Sequence, residues 1–197
     1  VLLSAPDSFT LSPNGHGGSI KALFTSDAID DMKRRGIEQI SYTQIDNPLV
    51  RVIDPLFLGL HVLEGCQMSS KAVAKVGPDE KVGVFCLADG NVTVIEYSDM
   101  PPVLLAQRQK NGDLRFNAGS TAIHAIHVDF VASLNRSGDV GLPFHRAEKS
   151  VPFFDVQTGQ TVRTQCPNAV KLEMFVFDAL PLCQQSMVLE VDRNDEF

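Results

Sequence analysis

Apolar positions along the chain follow two periods. Ile20, Leu23, Phe24, Ala28 and Met32 return at helical spacing with polar residues between them, which predicts an amphipathic helix. Lys33-Arg34-Arg35 suits the last turn of that helix, where cations complement its dipole, and Gly36 suits its stop. From Ile37 to Ile45 the pattern shortens to a strand that ends on Asp46, because Pro48 cannot donate to a sheet ladder. A second helix is expected from Pro55, with Asp54 as its cap, Leu56, Phe57, Leu60 and Leu63 as its buried face and Gly65 as its end.

Further on, strands are expected over Lys71 to Val76, Lys81 to Ala88 and Asn91 to Tyr97, the last two joined by a hairpin at Asp89-Gly90. Ser98 or Asp99 can cap a short helix running through Pro101 to Gln109, and Asn111-Gly112-Asp113 turns the chain into extended Leu114 to Asn117. Ala118 to Asn135 fits either a strand followed by a helix or one longer helix. A loop is expected over Ser137 to Gly141, extended structure over Val151 to Phe154 and at Val162 around a turn at Thr158-Gly159, a helix over Lys171 to Asp178, and a last strand over Met187 to Val191. The alternation of helices and strands predicts a layered α/β sheet, antiparallel in part, and with no repeat or linker it reads as one domain over residues 1–197.

Composition refines this picture. A formal charge of -7 on 197 residues argues against a nucleic-acid partner, since phosphate neutralisation needs clustered Lys and Arg. Cys66, Cys86, Cys166 and Cys183 are widely spaced, which suggests reduced thiols in a cytoplasmic protein rather than a zinc site or disulfide framework. No apolar run approaches the roughly 20 residues that span a bilayer, so no membrane partner is expected.

Several residues carry candidate chemistry. Asn14-Gly15-His16-Gly17-Gly18 opens the first helix, where free amides and the helix dipole would suit an anion or the polar edge of a heterocycle. Asp46, at a strand end, could hold a divalent cation or a sugar hydroxyl. Glu96 closes an apolar strand and needs a partner. Phe175 and Phe177 could wall a pocket or fill the core, and His145 with Arg146 and Lys149 could form a basic patch or a solvated helix face. His124 and His127 lack a third ligand and read as core histidines.

The ordered blocks PNGHGG, QIDNPLVRVIDP, VIEYSD, FNAGSTAIH, PNAVKLEMFVFD and LEVDRNDEF resemble the eukaryotic-type UDP-N-acetylglucosamine pyrophosphorylase family over about Ser12 to Phe197. The resemblance implies a nucleotide-diphospho-sugar transferase fold of GT-A-like type, a doubly wound mixed sheet with its N-terminal part missing. It implies a reaction in which UTP and a sugar 1-phosphate give a UDP-sugar and pyrophosphate, with Mg2+ as cofactor. By the same resemblance Asn14, Gly15 and His16 face the nucleotide, and Asp46 is the metal ligand and catalytic aspartate. Gly83, Glu96, Ser120, Phe175 and Phe177 line the sugar, the two Phe lying beside its N-acetyl group.

One departure concerns the sugar: Ser120 stands where the family usually has a second asparagine, which weakens the case for N-acetylglucosamine and keeps UDP-glucose or broad UDP-sugar pyrophosphorylase as an alternative. A non-catalytic nucleotide-sugar binding domain is the alternative from another class. The family's glycine-rich loop would precede Val1 and a lysine would follow Phe197, so the chain reads as an internal piece, expected to bind a UDP-sugar weakly without turnover.

Overall fold

The computed structural model describes residues 1–135 and 140–197. In chain order the elements are β1 (Leu3–Ala5), β2 (Ser8–Phe9), α1 (Gly18–Thr25), α2 (Ala28–Arg34), β3 (Gln39–Tyr42), α3 (Pro55–Leu63), β4 (Met68–Ala74), β5 (Val84–Ala88), β6 (Asn91–Ile95) and α4 (Pro102–Leu105). They continue with β7 (Ala118–His127), α5 (Val128–Leu134), β8 (His145–Lys149), β9 (Phe153–Asp155), β10 (Gln160–Val162), β11 (Ala169–Glu173), a 3-10 helix over Val176–Leu182, β12 (Ser186–Glu190) and α6 (Arg193–Glu196). The loop expected over Ser137 to Gly141 falls in part on residues 136–139, outside the described residues.

Two compact units result, Val1–Ile20 with Leu142–Val176, and Lys21–Gly141 with Phe177–Phe197. The first holds three antiparallel strand pairs, β1 with β2, β8 with β11 and β9 with β10. The second holds a six-stranded mixed sheet in the order β12-β4-β7-β5-β6, with β3 also on β7. Its β12 runs parallel to β4 and the other pairings are antiparallel, so the α/β class and the mixed sheet are as expected. Phe57, Ile123 and Ala125 are buried together here, with Val50, Leu58, Met187 and Leu189 packed against them.

Several local rules operate as the residues dictate. Asp54 caps α3, its Oδ1 accepting from the amides of Leu56 at 3.0 Å and Phe57 at 3.3 Å. Asp89 and Gly90 both take positive φ, 51° and 83°, the backbone that a two-residue hairpin needs between β5 and β6. Residues 118–135 resolve into strand then helix, β7 followed by α5.

Other expectations are corrected. The first helix is two, because Asp27 takes φ 59° between α1 and α2. Residues 169–173 form β11 rather than helix, since the alternating stretch pairs in full register with β8. That pairing also makes His145, Arg146 and Lys149 strand residues, not a helix face. On α3 the buried positions are Phe57 and His61, while Leu56 and Leu63 are 68% and 79% exposed. His61 replaces a leucine inside because Ser69 and Gln39 satisfy both ring nitrogens, at 2.7 and 2.9 Å.

Candidate functional site

In the first unit the glycine loop packs on the end of β11. A Cβ on Gly15 would lie 2.3 Å from the Met174 carbonyl oxygen, and one on Gly17 would lie 2.7 Å from the Met174 carbonyl carbon. Gly15 also has φ +83°, so glycine is required there twice over. Four amides at the start of the helix are engaged within the protein: Gly17 N donates to Met174 O at 2.8 Å, while Gly18, Ser19 and Ile20 donate to carbonyls of residues 15–17. The glycines therefore serve close approach to β11, and Asn14 joins the same seam through its carbonyl, which accepts from Met174 N at 2.7 Å.

That seam fixes His16. Its Nδ1 accepts from the Val176 amide at 3.1 Å, which places the proton of the neutral ring on Nε2. The ring stacks on Phe175 with centroids 5.0 Å apart, and His145 tilts on the same Phe175 ring at 4.5 Å. Burial pushes the His16 imidazole below its ordinary value, with Glu173 opposing the shift and His145 adding to it, so the ring stays neutral at physiological pH. The aromatic role of His145 was not foreseen from sequence, where its one signal is the period-two spacing with Ala147 in a polar run.

In the second unit Asp46 does not stand at a strand end. β3 stops at Tyr42, Ile45 is fully exposed, and Asp46 occupies an exposed turn. The turn is anchored by its neighbour: Asn47 Nδ2 donates to the Glu196 carbonyl at 2.7 Å, and Asn47 Oδ1 accepts from Leu49 N at 3.1 Å. Among the described residues no set of three or more His, Cys, Asp or Glu side chains gathers as a metal site. His124 and His127, three apart on strand β7, point to opposite faces, and His124 is buried against Ser70 with 2.8 Å between Oγ and Nδ1.

Gly83, Glu96 and Ser120 do come together. Ser120 N donates to Gly83 O at 2.8 Å, and a Cβ on Gly83 would lie 3.2 Å from Glu96 Oε1. Glu96 is half-buried just beyond β6. Lys75 is buried against Gly119, next to Ser120, and its Nζ has no hydrogen-bond partner among the described residues. Phe177, also in this unit, is buried in the 3-10 helix at 4% exposure.

A cluster that sequence reasoning missed lies at the middle of β4. Lys71 is 1% exposed and its Nζ donates to Asp54 Oδ2 at 2.6 Å and to Glu196 Oε1 at 2.5 Å. Opposite Lys71 the pairing of β4 with β7 skips residues 121–123, Ala122 takes φ 55°, and Thr121 Oγ1 donates to Lys71 O at 3.0 Å. Such a bulge re-aims side chains, and its signal in sequence is nil because β-branched and small residues tolerate it without a marker.

The glycine loop seated on the end of β11 and the six-stranded mixed sheet are parts of an α/β protein, and solved UDP-sugar pyrophosphorylases share its fold. The crystal structure of a uridine diphosphate N-acetylglucosamine pyrophosphorylase from Trypanosoma brucei matches all of this chain with a TM-score of 0.85 at 25% identity, the match covering 40% of that chain. A UDP-glucose pyrophosphorylase from Leishmania major shares the fold with a TM-score of 0.74 at 16% identity, covering 44% of that chain. In sequence the chain is 38% identical over 197 residues to "UDP-N-acetylhexosamine pyrophosphorylase-like protein 1" of Homo sapiens, and 34% identical over 199 residues to the UDP-N-acetylglucosamine pyrophosphorylase of Saccharomyces cerevisiae. All of the chain is matched in both cases, and it spans 39% and 42% of those relatives' lengths. Residues 4–197 match the family model described as "UTP--glucose-1-phosphate uridylyltransferase", and the chain belongs to that family.

Proposed function

We propose that this chain works in uridylyl transfer from UTP to a sugar 1-phosphate, with N-acetylglucosamine 1-phosphate as the sugar and a UDP-sugar and pyrophosphate as products. The observation that carries the reading is the seating of the Asn14–Gly17 loop on Met174, which holds His16 flat on Phe175 with Nδ1 fixed as acceptor. A neutral imidazole held this way carries its proton on Nε2 and is fixed in one orientation, which suits recognition of a planar base such as uracil. The names of the relatives at 34–38% identity support the N-acetylhexosamine over glucose.

In the transfer, an oxygen of the sugar phosphate bonds to the α-phosphorus of UTP as the bond to the bridging oxygen of pyrophosphate breaks. Such transfers depend on positioning and charge neutralisation more than on a protein nucleophile. Asp46 fits Mg2+ as one exposed carboxylate, because this ion keeps most of its water and takes its remaining ligands from substrate phosphates rather than from a closed protein cage. Bound there, Mg2+ supplies neutralisation of phosphate charge. Glu96 accepts from sugar hydroxyls, and Gly83 and Ser120 form the wall beside it.

Ser120 favours a second reading, UDP-glucose pyrophosphorylase, since it is shorter than the asparagine expected for an N-acetyl sugar. Pyrophosphate release by the gene product that carries this chain, with UTP and either sugar 1-phosphate, separates the two. Asp46→Asn is expected to lower turnover by about 100-fold or more, the scale on which electrostatic groups act in such sites. Unchanged turnover at low Mg2+ would remove Asp46 from the reaction.

A further inference from the structure

Residues 46–54 form an irregular connection between β3 and α3, and both of its ends lead to one buried ammonium. At the far end Asp54 Oδ2 accepts from Lys71 Nζ at 2.6 Å while its Oδ1 caps α3. At the near end Asn47 Nδ2 donates to the backbone carbonyl of Glu196, and the Glu196 side chain accepts from the same Nζ at 2.5 Å. Glu196 is 2% exposed, and among the described residues its Oε2 has no hydrogen-bond partner and Lys71 is the hydrogen-bond donor to its Oε1. Arg51, within the connection, lies 4.0 Å from Glu196 Oε1 and 3.9 Å from Asp195 Oδ2, on the solvent side. The Lys71 backbone is itself held by Thr121 across the β7 bulge, so the ammonium is presented from the rigid middle of the sheet.

We propose that Lys71 is a positioning residue for Asp46: it holds Glu196 and Asp54, and through Asn47 it fixes the turn that presents the Asp46 carboxylate to a Mg2+-bound nucleotide. The inference rests on the metal reading of Asp46. A carboxylate alone in an exposed turn has no packing of its own to orient it, and without the tether its ordering falls on the binding step and weakens it. Lys71 touches neither phosphate nor sugar in this account.

The test is calorimetric titration of Mg2+ into the chain saturated with UTP, beside titration of UDP without metal. Asn47→Ala and Lys71→Met are each expected to raise the Mg2+ concentration at half-saturation about tenfold, while metal-free UDP affinity stays within about twofold of wild type. Amide exchange over residues 46–54 should quicken in both. A residue of merely structural importance would move both titrations together. If Lys71→Met does not fold, Asn47→Ala carries the test, since it cuts the tether at a half-buried surface side chain. Wild-type half-saturation in Asn47→Ala, with Asp46→Asn raising it, overturns the positioning role and leaves the metal reading standing. If Asp46→Asn also titrates like wild type, the metal reading falls and takes the positioning role with it.

Discussion

Lys71→Met is the perturbation with the largest stability effect expected in the second unit. The substitution keeps volume and removes the charge that two carboxylates share at 2.5 and 2.6 Å. Asp54 keeps its two amide donors and part of its solvent contact, so most of the loss falls on Glu196, left buried at 2% exposure with no hydrogen-bond donor among the described residues and the exposed Arg51 guanidinium 4.0 Å away. Removing one partner of a buried pair costs about 3–5 kcal/mol. For a chain of this size a loss of 1 kcal/mol lowers Tm by about 2–4 °C, which puts the expected drop at about 6–20 °C. Thermal unfolding followed by circular dichroism reads it directly. The double variant Lys71→Met with Glu196→Gln no longer buries a bare carboxylate and is expected to recover part of the loss. A drop below about 2 °C in the single variant, or a double variant no more stable than the single, would refute the reasoning.

Two other outcomes follow from the structure. Burial holds His16 and His61 below the ordinary imidazole value, His145 and His127 adding to the respective shifts and Glu173 opposing that of His16, so the unfolded chain binds more protons than the folded one once pH falls through about 6.5. Stability is therefore complete above that value and lost as pH falls toward the lower folded pKa values; Tm measured from pH 7.5 to 5 should fall, and a flat profile would contradict the buried neutral rings. Gly15→Ala sets a methyl group 2.3 Å from the Met174 carbonyl at φ +83° and should cost about 1–3 kcal/mol by denaturant unfolding, with weakened UDP binding; a neutral substitution would show that the loop does not seat on β11.

Much of the frame was legible in the sequence because its signals are local. Asp54-Pro55 states a cap and a first helical residue in two letters, and Asp89-Gly90 states a hairpin. Legibility failed where local signals conflict with tertiary ones. Val170 to Glu173 alternates while the following residues carry helical spacing, and only the presence of β8 decides for a strand. The turn at Asp46 looked like a strand end because Ile45 is apolar, yet that side chain is fully exposed and the ladder had stopped three residues earlier. In the candidate site, the glycine loop was legible as a tight feature but its purpose was not, since its contact at Met174 is some 160 residues away in sequence. Lys71 is the extreme case: it begins an expected strand, and nothing local signals that Asp54 and Glu196, 17 and 125 residues distant, meet on its ammonium.

The most direct test of the central claim is calorimetric titration of this chain with UDP-N-acetylglucosamine, UDP-glucose and ADP-glucose. Both uridine nucleotides are expected to bind, the N-acetyl sugar more tightly, with ADP-glucose at least about tenfold weaker, a difference of about 1.4 kcal/mol, and His16→Ala is expected to erase the preference for uridine. Equal binding of ADP-glucose and UDP-glucose to the wild-type chain, or a preference that survives His16→Ala, would contradict it.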